Sequence, residues 1–356
     1  MSKKKVAIIY GGKSVEHEIS INSARNIFQY IDKSVFEVSL IGISKEGHWH
    51  FMNEVTGNFS NSEILTLQLN SGSATFSSQR QQVTPNIVFP VLHGTDGEDG
   101  SIQGLLQTID LPFAGSGVLG SAVSMSKLAS KRLLKAADIP TSKFITYTYQ
   151  QKDLISFHDI QKQLGLPFMV KAANLGSSVG VVKVNNEQDF EYALEECFRF
   201  DTVLLFEQYI QGRELECSVM GNDNQIRASL PAEIVISPAY EFYTYKAKYQ
   251  DPNAVELKVP ADIPEDITSK IRNLSIHAYQ ALHCEDFARV DLFLTKEGKI
   301  FINEINTIPG FTNSSMFPMM WQEQGISFTD LITAIIESSF QKFEESKRLQ
   351  KDFAKR

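Results

Sequence analysis

The sequence has no long apolar run, no concentrated block of Lys or Arg, few cysteines and no internal repeat or low-complexity tract. Each absence removes a class of protein. No apolar stretch is long enough to be read as a membrane-spanning helix, and no membrane partner is expected. The net charge of -8 with dispersed basic residues argues against a nucleic-acid partner, because such binding neutralises phosphates with Lys and Arg. Cys197, Cys217 and Cys284 are odd in number and lack C-x-x-C spacing, so neither a disulfide framework nor a zinc site is indicated. A reducing, cytoplasmic setting is expected. The apolar residues after Lys3-Lys-Lys5 are too few for a signal peptide before Gly11-Gly12 intervenes.

What is present is enough chain for more than one core. With 356 residues, two or three domains around a cleft are expected. Residues 6–10 read as a buried strand stopped by Gly11-Gly12, and residues 15–30 carry helical spacing at Ile19, Ala24, Ile27 and Phe28, with Ser14 as N-cap. Short apolar runs recur at 38–43 and 87–92, which predicts a doubly wound α/β domain over residues 1–122. The Ser-, Asn- and Gln-rich stretch 53–82 reads as an elaborated loop. A Lys-rich helix is predicted over 121–138, ended by Ile139-Pro140. Residues 123–212 form a second unit, with strands on either side of a glycine-serine loop. A third unit, 213–356, alternates strands with helices near 267–282 and 328–347.

Chemistry concentrates near the end. Residues 288–294 and 299–306 are strand-like and joined by Lys296-Glu-Gly298, which predicts a β-hairpin. Side chains two apart share a face, so Arg289 goes with Asp291 and Glu304 with Asn306. Pairing centred on the turn sets Arg289 opposite Glu304, with Asp291 diagonal. Three oxygen donors beside one guanidinium suit a hard divalent cation that keeps waters and substrate phosphates. A cross-strand salt-bridge ladder would use the same residues, but Asn306 leads directly into Thr307-Ile-Pro-Gly310, a shaped loop.

A second phosphate element is Lys171-Ala-Ala-Asn-Leu-Gly-Ser-Ser-Val-Gly180, where small residues let backbone N–H groups approach an anion and Lys171 adds a point charge. Strands on both sides distinguish it from a Walker loop, and Gly12-Lys13-Ser14 lacks the first glycine of that motif, whose place is taken by Ala7. The Asp96 to Asp99 cluster lacks calcium-loop spacing.

Several motifs follow one another in order: Gly11-Gly-Lys-Ser-Val-Glu-His-Glu-Ile-Ser20, His93-Gly-Thr-Asp-Gly-Glu-Asp-Gly-Ser-Ile-Gln-Gly104, Phe113-Ala-Gly-Ser-Gly117 and Ser124-Met-Ser-Lys127. The Lys171 to Gly180 loop, Tyr243-Thr-Tyr-Lys-Ala-Lys-Tyr249, Ala288-Arg-Val-Asp291 and Asn303-Glu-Ile-Asn-Thr-Ile-Pro-Gly-Phe-Thr312 continue the series. With these the chain resembles the D-alanine-D-alanine ligase family along nearly its whole length. The resemblance implies an ATP-grasp fold, with an N-terminal doubly wound α/β domain followed by central and C-terminal α+β domains enclosing ATP. It implies ATP, two Mg2+ (or Mn2+), two molecules of D-alanine and a homodimer, in bacterial peptidoglycan synthesis.

Site roles are carried over residue by residue. Lys127, Lys171 and Ser178 fall on the phosphates, Glu207 on the adenine amino group, Tyr209 beside the adenine and Glu214 on the ribose. Asp291, Glu304 and Asn306 hold the metal, while Arg289 and the Gly310 N–H stabilise an oxyanion. Glu16 takes the ammonium of the first D-alanine in a set with Ser177 and Tyr249, His93 lies near that substrate, and Ser315 takes the carboxylate of the second. Lys248 reaches the γ-phosphate from a lid over 240–251. Taken singly, Glu16 is also a first-turn acid suited to a helix dipole, and Glu207 and Glu214 could be surface carboxylates. Ala172 stands where many relatives have proline, which leaves the role of Lys171 intact. The competing readings are a ligase that joins D-alanine to D-lactate or D-serine, disfavoured by Tyr249, and a nucleotide-binding regulator without turnover. A glutathione-synthetase-like ligase is disfavoured by Glu16 and His93.

Overall fold

Strand β1 (Lys4–Gly11) is apolar from Val6 to Tyr10 because it lies mid-sheet with both faces covered. The computed structural model describes residues 3–70, 73–176, 179–237 and 254–349. From β1 the chain passes through helix α1 (His17–Tyr30) to the parallel β2 (Phe36–Ile43), with β3 (Trp49–Met52) and β4 (Glu63–Ile64) added antiparallel at that edge. Then β5 (Thr66–Asn70), β6 (Ser73–Ser77) and β7 (Gln82–Val83) form a small antiparallel sheet, so much of the expected loop is strand. Its Phe76 packs with Ile41, Val88 and Leu106 and stacks on Trp49. Polar composition hid it, since only alternate residues needed to be apolar. Strand β8 (Ile87–Val91) returns parallel to the other side of β1.

Helices α2 (Ser101–Thr108), α3 (Val118–Met125) and α4 (Lys127–Ala136) follow. The single helix expected over 121–138 is therefore two. Ser126 is extended between them and its Oγ caps α4 by accepting from Ala129 N–H, which puts Lys127 at a helix start. Residue 122, the expected boundary, lies inside α3. Likewise α1 begins after Glu16, and Ser14 is not its N-cap. Its hydroxyl accepts from the Glu16 N–H at 3.0 Å instead.

The second unit holds β9 (Phe144–Thr148), α5 (Phe157–Leu164), β10 (Phe168–Ala172), β11 (Val181–Val184), α6 (Glu187–Phe198) and β12 (Val203–Gln208). Its strands run antiparallel in the order β11-β10-β12-β9 over a core of Ile160, Phe168, Phe190 and Phe206. The third comprises β13 (Gly212–Met220), β14 (Arg227–Ala228), β15 (Ala232–Ile236), β16 (Val255–Lys258), α7 (Glu265–Ala281), β17 (Phe287–Thr295) and β18 (Ile300–Asn306). The main sheet order is β16-β15-β13-β17-β18, with β14 beside β13. Ala288, Val290, Leu292 and Leu294 alternate into a core shared with Ile271 and Ala278 of α7, which leaves Arg289 and Asp291 on the opposite face.

Helices α8 (Met316–Glu323) and α9 (Phe328–Ser346) complete the fold. Leu331, Ile332, Ile335 and Ile336 of α9 pack into the same core as Val6, Ile8 and Tyr10 of β1. A buried carboxylate pins this return: Asp286 accepts from Gly115 N at 2.9 Å, Asn222 Nδ2 at 2.7 Å, Ser339 Oγ at 2.8 Å and Lys342 Nζ at 2.7 Å. Among the described residues no helix is long and apolar enough to cross a membrane.

Candidate active site

The β17–β18 hairpin forms as expected, but its register differs. From Leu294 opposite Ile300 the pairing runs to Leu292 opposite Ile302, and then Asn303 is inserted as a bulge. Beyond it Asp291 faces Glu304 and Arg289 faces Asn306, so Arg289 is not opposite Glu304. An extra residue in one strand cannot be read from apolar alternation. Arg289 grips Asp291 through two hydrogen bonds, Nε to Oδ1 at 2.7 Å and Nη2 to Oδ2 at 2.8 Å, and Asn306 Nδ2 donates to the same Oδ2 at 3.0 Å. On the other side β13 sets Glu216 opposite Asp291, with Oε2 3.0 Å from Arg289 Nε.

Two cavities adjoin this row. One, of about 130 Å³, lies between the four-stranded and six-stranded sheets and is lined by Met169, Val181, Tyr209, Ile234 and Phe293 with Lys171, Glu207, Glu214 and Asn303. Apolar side chains that can pack on a planar heterocycle are set here among charged groups that can take its polar edges and an attached anion. Glu207, 3% exposed, accepts on Oε2 from Lys171 Nζ at 3.1 Å and Ser142 Oγ at 3.0 Å, with Lys131 Nζ at 3.4 Å. Burial by itself raises this carboxyl, but Lys131 and Lys171 outweigh it and hold it at about 2. Its Oε1 is buried and has no hydrogen-bond partner, an acceptor available to a donor entering the cavity. Lys131, 1% exposed, is further held by Thr141 and Ser142 at 2.8 and 2.9 Å.

The second cavity, of about 350 Å³, is walled by Glu16, His93, Glu98, Arg289, Gly310 and Ser315 among others. His93 Nδ1 lies 2.8 Å from the Ile308 carbonyl, which can only accept, so Nδ1 carries the proton and Nε2 accepts from Ser23 Oγ at 2.9 Å. Burial pushes the His93 pKa down, in keeping with this neutral ring. Ser23 Oγ also accepts from Phe311 N at 3.2 Å, and Glu98 accepts from Gly94 N at 2.8 Å and Ile308 N at 3.2 Å. Residues 308–311 are thus clamped to the first sheet. Burial, then the neighbouring Glu16, raises Glu98 to about 8. Ser315 Oγ accepts from Thr312 N at 3.0 Å and lies so near Gly310 that a Cβ there would come within 2.8 Å. A side chain at Gly94, φ +75°, would stand 2.5 Å from Glu16 Oε2.

Lys127, Glu216 and Glu304 line both cavities, so the two adjoin along these side chains. Lys127 Nζ donates to the Leu175 carbonyl and lies 3.9 Å from Glu304. Asp291, Glu304 and Asn306 are hard oxygen donors facing this junction, which fits in kind a cation of the magnesium class sharing ligands with a phosphate. Among the described residues no group of three or more His, Cys, Asp or Glu is arranged to hold a metal unaided. Ser177, Ser178, Lys248 and Tyr249 lie outside the described residues, as does the expected lid.

Residues 5–116 match the family model described as D-ala D-ala ligase N-terminus, and residues 133–337 match D-ala D-ala ligase C-terminus. The chain belongs to the D-alanine-D-alanine ligase family. Among relatives in that family, the D-alanine-D-alanine ligase of Shouchella clausii is 48% identical with 98% of each chain covered. D-alanine-D-alanine ligase A of Escherichia coli is 45% identical over 96% of this chain and 97% of its own. The structure of the ligase from Coxiella burnetii superposes with a TM-score of 0.86 at 34% identity, covering 98% and 97% of the two chains. The VanG D-Ala:D-Ser ligase from Enterococcus faecalis superposes with a TM-score of 0.85 at 31% identity, covering 95% of this chain and all of that one. The α/β ATP-grasp architecture expected of the ligase family is therefore the one present.

Sequence reasoning passed over five residues of this ligase site: Ser23, Glu98, Lys131, Glu216 and Asn303. Lys131 reads as a solvated helix lysine, although its place one turn after Lys127 sets both on one helix face. Glu216 carried a usable signal, two residues after Glu214 on the same strand face.

Proposed function

We propose that this ligase joins two D-alanines at the expense of ATP, giving D-alanyl-D-alanine, ADP and phosphate for peptidoglycan precursors. The observation that carries the reading is that the cavity between the two sheets adjoins the second cavity along Lys127, Glu216 and Glu304. A carboxylate must be activated before an amine displaces its oxygen, so phosphoryl donor and acceptor have to meet at one seam. The oxygen-donor row sits at that seam.

Within this reading the adenine amino group donates to Glu207 Oε1, Tyr209 packs beside the base, Glu214 takes the ribose hydroxyls, and Lys127, Lys171, Ser178 and Lys248 neutralise phosphates. Asp291, Glu304 and Asn306 hold Mg2+ (or Mn2+), which when bound spreads the charge of the transferring phosphoryl group. Glu16, in a set with Ser177 and Tyr249, holds the ammonium of the first D-alanine while its carboxylate takes the γ-phosphoryl group. The amine of the second, oriented by Ser315, then attacks the acyl carbon, and Arg289 with the Gly310 N–H stabilises the oxyanion before phosphate leaves. The clamp made by Ser23, His93 and Glu98 keeps Gly310 in place for that task. Closure over 240–251 would exclude water from the acyl phosphate. A cytoplasmic homodimer is the setting the family resemblance implies.

Incubating the protein with Mg-ATP and D-alanine, with D-lactate or D-serine in parallel, and identifying products by mass spectrometry tests this reading. D-alanyl-D-alanine is expected as the main product. A dominant D-alanyl-D-serine or D-alanyl-D-lactate, or ATP binding without any D-alanyl product, would sink it.

A further inference from the structure

Glu216, Asp291 and Glu304 are register partners on three neighbouring strands, so three carboxylates stand side by side across one sheet face. Like charges in such positions repel. Arg289 and Lys127 offset them: the single Nε–H of Arg289 donates to Asp291 Oδ1 at 2.7 Å, and Nε also lies 3.0 Å from Glu216 Oε2 as a charge contact without a hydrogen bond. Both Asp291 oxygens are occupied by this guanidinium. On the reading above, however, Asp291 must give oxygen lone pairs to a divalent cation while Arg289 faces an oxyanion. Oxygens shared with a guanidinium and with Asn306 are weaker cation ligands, so metal binding works against the bidentate pair.

We propose that Glu216 is a positioning residue, the neighbouring carboxylate that takes over the Nε–H of Arg289 and so holds the guanidinium in place when Asp291 turns to the metal. Glu216 is 3% exposed, on the central strand of its sheet, and borders both cavities. It is fixed in place, and no side chain has to travel to reach Arg289. The anchor leaves the Nη groups available to substrate, and it frees Asp291 by lowering the cost of parting from Arg289. The inference rests on the proposed function for the roles of Asp291 and Arg289.

The test uses the full-length protein and the variants Glu216→Gln and Glu216→Ala. Mn2+ binding in the presence of ADP, followed by electron paramagnetic resonance, is the readout that a merely structural role would not move. Partners that orient metal ligands typically govern 10- to 100-fold in affinity, so E216Q is expected to weaken Mn2+ by about tenfold and E216A by more. The kcat for dipeptide formation should fall by about tenfold with KM for D-alanine unchanged, and melting temperatures should stay close to wild type. Wild-type Mn2+ affinity in both variants would overturn the proposal, as would loss of activity matched by loss of folded protein with unchanged Mn2+ affinity in the remainder. Should E216A fail to fold, the isosteric E216Q decides alone. A wild type that binds Mn2+ with ADP but forms no dipeptide would refute the substrate reading, while the Mn2+ titrations still judge Glu216.

Discussion

Glu207 and Glu98 are carboxylates in the walls of adjoining cavities, and their surroundings send them in opposite directions. Glu207 lies within reach of two lysines that more than offset its burial, and it stays ionised down to about 2. Glu98 has two backbone N–H partners and, among the described residues, no salt bridge with a cation; burial and the charge of Glu16 raise it to about 8. The cavity proposed for the nucleotide thus carries a fixed charge, whereas the one proposed for the amino acids carries a carboxyl raised to about 8. Its partners also differ in origin. Lys171 and Glu207 sit on adjacent strands of one sheet, while the Glu98 set joins the loop after β8 to a loop more than two hundred residues away.

The sharpest way to break the contrast is at the seam. Arg289→Ala should lower kcat by about 10²- to 10³-fold, the usual loss for one oxyanion donor, as measured in a coupled ADP assay. Removing the fixed charge comes next. Glu207→Ala leaves Lys131 buried beside another ammonium, which should cost about 3–5 kcal/mol in urea unfolding and raise KM for ATP.

The titrating side gives a pH test. Glu98 binds its proton more tightly in the folded state, about 8 against an ordinary 4.5, so stability should fall as pH rises through that window. Glu98→Gln should remove a slope of up to about 1.4 kcal/mol per pH unit, visible in urea midpoints at pH 5.5 and 8. For Glu207 the sign reverses: its contribution is complete above 4.5 and is lost toward about 2. Glu98→Gln should leave that acid limb unchanged. The smallest effect is expected far from either cavity, at the exposed Lys270–Asp266 pair, where Lys270→Ala should leave the urea midpoint unchanged within error.

The same contrast separates what the sequence disclosed from what it hid. Strand and hairpin positions were legible because apolar alternation sets faces, and Arg289, Asp291, Glu304 and Asn306 do converge. Their partners were not: pairing starts one residue away from the turn-centred expectation, at Leu294 opposite Ile300, and the inserted Asn303 shifts every pair beyond it by one more. Glu207 and Lys171 could be suspected from their strands. The buried third member, Lys131, could not, since a helix lysine is mostly exposed and only the folded helix shows which face is covered. The clamp at Ser23 and Glu98 was hidden for another reason: its acceptors and donors are backbone groups of Ile308 and Phe311, which carry no sequence signature.

The return of α9 to the first sheet has a consequence for how the chain is made. Strand β1 is synthesised more than three hundred residues before α9, yet one face of it is covered by Leu331, Ile332, Ile335 and Ile336. A unit begun at residue 4 therefore cannot finish its core until residue 336 has emerged from the ribosome. The domain that starts first is completed last, and until then its open apolar face is the part of the nascent enzyme most in need of protection from aggregation.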